Sequence, residues 1–252
     1  MMNQPFVIFV ASLLLLWLST RLGIFLQRTR RILPEDGRDD LVMVMSAALT
    51  LLGLLIGFSF SMAISRYDLR KNYEEAEANA IGTEYVRADL LPAADVAKVR
   101  PLLRKYLDQR ILFYTTGDKA ELNRVNADTA RLQSELWSAV SSSATAHVSP
   151  SVALAVSGMN DVLNSQGYTQ AAWWNRIPIA AWCLMFAIAI SCNLLVGLGM
   201  RRGENEAALL FVLPLIVSVA FFLIAEIDSP RGGVVRITPQ NLVSLSQSLQ
   251  SD

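Results

Sequence analysis

Histidine and cysteine are nearly missing from this chain of 252 residues: there is one histidine, His147, and two cysteines, Cys183 and Cys192. With so few imidazole or thiol groups, a zinc or haem site has little to build on. The cysteines lie nine residues apart inside one apolar run, on opposing faces of a helix where they cannot bridge each other. Net charge is missing as well, with 22 basic against 22 acidic residues, and the polar middle between Arg66 and Arg176 is balanced at 13 of each. A chain without a basic excess offers no broad surface to a nucleic acid. Neither a Walker loop, a dinucleotide fingerprint nor a nucleophile elbow occurs, and no loop has calcium-binding spacing. The sequence therefore reads as a non-enzyme with no cofactor and no metal site.

What the chain has instead is long apolar runs. Residues 6–26, 41–65, 177–200 and 207–227 can each cross a hydrocarbon layer of about 30 Å at about 1.5 Å of helix per residue. Arg21 is the one full charge inside the first run, the second and third have none, and Glu226 falls at the end of the fourth. Lipid leaves no backbone group unpaired without a heavy cost, and runs without period-2 alternation are helices rather than barrel strands. Residues 1–5 carry no lysine or arginine and no small-x-small cleavage pattern precedes Arg21, so the first run is expected to be a retained helix. The Cys183 and Cys192 thiols then sit at membrane depth as small hydrophobes.

The runs are grouped two and two. Residues 27–40 join the first pair and 201–206 the second, so each pair forms a hairpin, and both termini and the polar middle share one side of the membrane. Boundaries are expected at 1–65 for the first hairpin, 66–176 for an extramembrane domain, 177–227 for the second hairpin and 228–252 for a tail. Basic residues near helix ends balance, with Arg28, Arg30, Arg31, Arg38, Arg201 and Arg202 in the short loops against Arg66, Arg70, Lys71, Arg176, Arg231 and Arg236, so loop charge assigns no orientation.

The middle reads as helical throughout. Residues 66–91 continue the second apolar run without proline, giving a rod of about 50 residues and about 75 Å, which Pro92 ends. Amphipathic helices follow over residues 93–115, with Leu103, Leu107, Ile111 and Phe113 as the apolar stripe, and 119–146, through Leu122, Val125, Leu132, Leu136 and Val140. Another spans 150–163. Trp173 and Trp174 stand where an interfacial aromatic belt is expected. Thr238-Pro239 begins a short terminal helix bearing Leu242, Leu245 and Leu249 on one face. The fold class is an all-α, four-pass membrane protein, with a helical body between two hairpins and the second membrane helix extended into that body.

Two constellations on the long rod are candidates for function. Ser46, Thr50, Gly53, Gly57, Ser61 and Ser65 recur at steps of three and four and form one narrow stripe of small or hydroxylated side chains. Such a stripe lets helix backbones approach, or faces a pore shared by several copies, where glycine gives width and hydroxyls solvate an ion. Below it Arg70, Glu77 and Glu84 repeat every seven residues beside Arg66 and Arg87. That row is a charged vestibule or a set of ion pairs between helices. Arg66, Asp68 and Arg70 are expected at the depth of Glu226 and Asp228, forming a collar of paired charge at the membrane boundary.

The blocks Gly57-Phe58-Ser59-Phe60-Ser61, Arg66-Tyr67-Asp68-Leu69-Arg70, Glu77-Ala78-Asn79-Ala80-Ile81-Gly82-Thr83 and Arg87-Ala88-Asp89-Leu90-Leu91-Pro92 resemble the bestrophin-like domain family of bacterial membrane proteins. Arg104, Tyr106, Arg110 and the closing Asp228-Ser229-Pro230 with Gly232 fit the same pattern, while Arg231 departs from the aromatic residue expected there. The resemblance implies a multi-pass protein of the cell (inner) membrane whose body faces the cytoplasm. Its partners are the lipid bilayer, further copies of itself in a homo-oligomer, and ions if it is a channel as bestrophins are. The aromatic constriction and acidic calcium clasp of bestrophins have no counterpart in this sequence. A non-conducting scaffold or sensor, whose body binds a partner, is the rival reading of the same features.

Overall fold

The computed structural model describes residues 4–30, 38–200 and 209–250, all of it organised around helices. The helices are α1 (Pro5–Arg30), α2 (Arg38–Arg87), α3 (Ala93–Thr115), α4 (Lys119–Ala146), α5 (Pro150–Trp174), α6 (Ile179–Gly199), α7 (Leu209–Asp228) and α8 (Gln240–Gln250), with a 3-10 turn at Ala88–Leu90. Among the described residues four helices are long and apolar enough to cross a membrane, and the chain is a helical, multi-pass membrane protein. The loop charges at Arg31, Glu35, Asp36, Arg201 and Arg202 lie outside the described residues.

The expected rod is present as α2, an unbroken helix of 50 residues. The helix expected over 150–163 runs on to Trp174. Gly167 does not end it because the buried positions Val152, Ala155, Met159, Val162, Thr169 and Ala172 keep helical spacing past the glycine, and that burial outweighs the roughly 1 kcal/mol a mid-helix glycine costs. Pro101 sits in the third turn of α3 without ending it. Asp118 and Ser149 cap α4 and α5, accepting from the backbone N–H of Glu121 at 2.8 Å and of Val152 at 3.2 Å.

The chain divides into two compact units, Met1–Tyr67 with Arg176–Arg236, and Asp68–Asn175 with Ile237–Asp252. The first holds the apolar helices. Its buried core combines Leu16 of α1, Leu52 and Ala63 of α2, Trp182, Met185, Ala189 and Cys192 of α6, and Val217, Phe221, Ile224 and Ala225 of α7. Rings from α6 and α7 meet edge to face, Phe186 and Phe221 with centroids 4.8 Å apart. Cys192 is buried and Cys183 exposed, both unbridged.

Helices α1 and α6 approach closely in this unit. The Cα of Gly197 lies 3.0 Å from where a Cβ on Gly23 would stand, and the reverse distance is also 3.0 Å, with backbone carbonyls of Leu194 and Thr20 closer still. Beside the crossing, the Ser19 hydroxyl donates to the Ile190 carbonyl at 2.8 Å, and the Thr20 hydroxyl lies 3.3 Å from Asn193 Oδ1. This is small-residue packing with interhelical hydrogen bonds, on a helix pair where the sequence had suggested none.

The second unit is built from the remainder of α2 with α3, α4, α5 and α8. Ile81, Val99, Leu103, Tyr106, Leu107, Leu136, Val140, Ala155, Met159 and Val162 are buried in it. Trp173 is buried too, packing edge to face on Phe113 and Tyr114 with centroids 5.0 and 5.4 Å away, whereas Trp174 is exposed. The tryptophan pair therefore splits: Trp173 belongs to the core of the helical body and not to an interfacial belt, because adjacent residues on a helix point about 100° apart.

Candidate functional site

The long helix α2 shows two different sides. In its apolar part Leu52, Ser59 and Ala63 are buried, while Ser46, Thr50, Gly53, Gly57, Ser61 and Ser65 are all exposed on the chain. A Cβ added at Gly53 or Gly57 would meet nothing within 4 Å. The Thr50 hydroxyl bonds back to the Ser46 carbonyl at 2.8 Å, which satisfies it within the helix and leaves the stripe free of any bond to another element at that point. The small stripe thus lies open along its length.

Past the membrane segment, the positions that continue this three-and-four spacing are Asp68, Asn72, Glu75, Asn79 and Thr83, all exposed. That signal is present in the sequence, interleaved with the seven-residue row of charge on the same helix.

That charged row turns inward. Arg70, Glu77 and Glu84 are each 0% exposed, and Glu74 is buried with them. Arg70 donates from Nε to the Ala172 carbonyl at 3.1 Å and from Nη2 to the Asn175 carbonyl at 3.0 Å, placing a cation on the carbonyl end of α5 where it complements the helix dipole. Glu74 does the reverse for α8, accepting from the Leu242 N–H at 3.0 Å and the Asn241 amide at 2.6 Å. Glu77 pairs with Arg110 and also accepts from the Tyr114 hydroxyl at 3.3 Å and the Thr169 hydroxyl at 3.2 Å. Burial opposes the Arg110 cation, but Glu77 beside it prevails and holds the guanidinium charged more firmly than usual. Burial, and then the Glu77 charge, push the Tyr106 and Tyr114 hydroxyls upward. Both phenols stay neutral at any physiological pH. Glu84 has no such set of donors. Arg87, three residues on, is partly exposed and lies 3.9 Å from Asp161.

At the end of α7, Asp228 accepts from the Ile177 N–H at 3.1 Å and stands 3.5 Å from Arg66 Nη1. Glu226 accepts from the Val234 N–H at 2.8 Å, and a Cβ on Gly233 would overlap its carboxylate. The Gly232 N–H donates to the Ser229 hydroxyl at 3.1 Å. Arg66 and Asp228 are brought together. Glu226 instead fastens the segment that follows its own helix. Asp68 is exposed.

The profile of the Bestrophin-like domain family matches residues 6–242. The chain belongs to that family. Among solved structures, the fold of this family member is similar to a bacterial bestrophin homologue from Klebsiella pneumoniae, at TM-score 0.67 and 16% identity over 96% of this chain and 97% of that one. Two single-residue variants of the Klebsiella homologue are similar in the same way. One has TM-score 0.67 at 15% identity over 96% and 98% of the two chains, the other 0.66 at 14% identity over 96% and 94%. No curated protein matches the chain in sequence. At such identities the likeness is one of fold, and the chain shares the bestrophin architecture nearly from end to end.

Proposed function

We propose that this bestrophin-like protein is a homo-oligomeric ion channel of the cell's inner membrane, with copies arranged round an axis and the small stripe of α2 innermost. The observation that carries the reading is the openness of that stripe. Residues that serve only to pack helices of one chain are covered by that chain, as Gly23 and Gly197 are, whereas Gly53 and Gly57 have no neighbour. Four helices rarely enclose a polar path, so the open face requires further copies. Ser46, Thr50, Ser61 and Ser65 would supply hydroxyls to a permeating ion, and Asn72, Asn79 and Thr83 would continue a polar surface beyond the lipid. No role in selectivity falls to Arg70, Glu77 or Glu84, whose charges are compensated or enclosed within the body.

The test is reconstitution of the purified protein into planar bilayers, alongside Gly57→Leu. A leucine projecting into the axis is expected to cut unit conductance at least tenfold while the oligomer survives gel filtration. Wild-type protein that never conducts, with Gly57→Leu falling apart into single chains, would instead identify a scaffold whose stripe is an interface between copies.

A further inference from the structure

Among the buried charges of α2, Glu84 is the exception. Its side chain is fully enclosed, yet neither Oε1 nor Oε2 meets a hydrogen-bond donor among the described residues. An ionised carboxylate in that position has no hydrogen bond to offset its desolvation cost. Opposite it lies Gly158 of α5. A Cβ there would overlap Glu84 Oε2 and come within 2.8 Å of Arg87 Nη1, so the bare glycine makes the slot that both side chains share. Arg87 directs the same Nη1 outward to Asp161, three residues along α5 from Gly158. The charged groups facing the slot are thus Arg87 from α2 and Asp161 from α5. Burial drives the Glu84 carboxyl upward, Arg87 draws it back and Asp161 lifts it again, leaving it raised to about 8.

We propose that Glu84 is a proton-binding site joining α2 to α5, in which the neutral acid packs on Gly158 while Arg87 pairs with Asp161, and the ionised form takes Arg87 from Asp161 and loosens the contact between the two helices. The step is a simple dissociation: the proton leaves for water and one negative charge stays on Glu84. It concerns the helical body alone and does not depend on whether the protein conducts.

Because the folded-state value lies above the ordinary 4.5, the native state holds this proton more tightly than the unfolded chain. The stability it brings is complete below about pH 4.5, declines as pH rises towards 8 and is absent beyond.

Infrared titration of the full-length protein in detergent reads the proton directly. A carboxylic-acid C=O band that disappears with a midpoint near pH 8 is expected in the wild type and not in Glu84→Gln. The apparent melting temperature should fall by on the order of 5 °C between about pH 5.5 and 8.5 in the wild type. That decline should be lost in Glu84→Gln, which overtakes the wild type at the alkaline end. Asp161→Asn removes the charge that raises Glu84 and should move the band's midpoint to lower pH. A wild-type protein with no acid band to lose over this range would overturn the proposal, as would a Glu84→Gln variant that keeps the wild-type decline. Should Glu84→Gln fail to fold, the infrared titrations of the wild type and Asp161→Asn decide the matter.

Discussion

Arg70, Glu74 and Glu77 have in common that each buried charge on α2 is matched to something fixed: a helix C-terminus, a helix N-terminus and a guanidinium. Matching of this kind repays desolvation only while every partner is present. Removing one side of the Glu77–Arg110 pair, as in Arg110→Leu, is expected to cost about 3–5 kcal/mol by leaving an uncompensated buried charge. Glu77→Leu combined with Arg110→Leu should cost less than either change alone. Tyr114→Phe, which removes one hydroxyl donor from Glu77, should cost only about 1–2 kcal/mol. Thermal unfolding of the four variants in one detergent checks the order, and a double variant whose cost equals the sum of the two singles would show that the pair is not coupled. The same reasoning applies to the lipid-embedded crossing. Gly197→Val forces α1 from α6 because what a side chain there would meet is backbone, the Thr20 carbonyl and Gly23 Cα, so no rotamer change relieves it. A loss of at least about 2 kcal/mol is expected, against almost none for Gly53→Ala, which has open space before it.

At the scale of elements, the extent of α2 was legible because nothing in residues 38–87 breaks a helix, and its apolar half was legible from hydropathy alone. The direction its charges face was not. Arg, Glu and Asp are rarely enclosed, so a seven-residue row of them reads as a surface, and the partners that enclose it, Thr169, Ala172, Asn175 and Asn241, lie far along the chain where only the fold can bring them. The α1–α6 crossing was missed for a different reason. Its signal, Ser19, Thr20 and Gly23 facing Asn193 and Gly197, is spread over two short motifs, while the six small residues of α2 form one long stripe. The terminal helix α8 was placed correctly by Thr238-Pro239 and its leucines, but not its attachment. Glu74 fills the role of an N-terminal cap from another helix, bonding the Leu242 N–H, and Leu245 fits over Gly82. Glu74→Ala should therefore release α8, speeding amide exchange of residues 242–249 about tenfold for a cap worth about 1–2 kcal/mol, while α4, which makes no use of Glu74, keeps its protection.

For the molecule as a whole, the decisive expectation is topological. Four apolar helices in one chain put the α1–α2 and α6–α7 connections on one side of the membrane and the turns of the helical body on the other, because each pair of crossings returns the chain to its starting side. Single cysteines report this directly once the native thiols are replaced, and both are suited to replacement: Cys192 is buried among apolar side chains, so Cys192→Ala conserves the environment at a modest packing cost, and Cys183 faces outward on a membrane helix. In such a background Gly117→Cys, at the exposed turn between α3 and α4, and Glu204→Cys, between α6 and α7, should react with a membrane-impermeant maleimide from opposite sides of sealed vesicles. If the body faces the cytoplasm as in the family resemblance, intact cells label position 204 and spare 117, and permeabilised cells label both. Labelling of the two positions from the same compartment would mean that an even number of crossings, and not one, separates residues 117 and 204. The open stripe of α2 could not then line a pore built in the way proposed, since α2 and α7 would no longer leave the membrane on a common side.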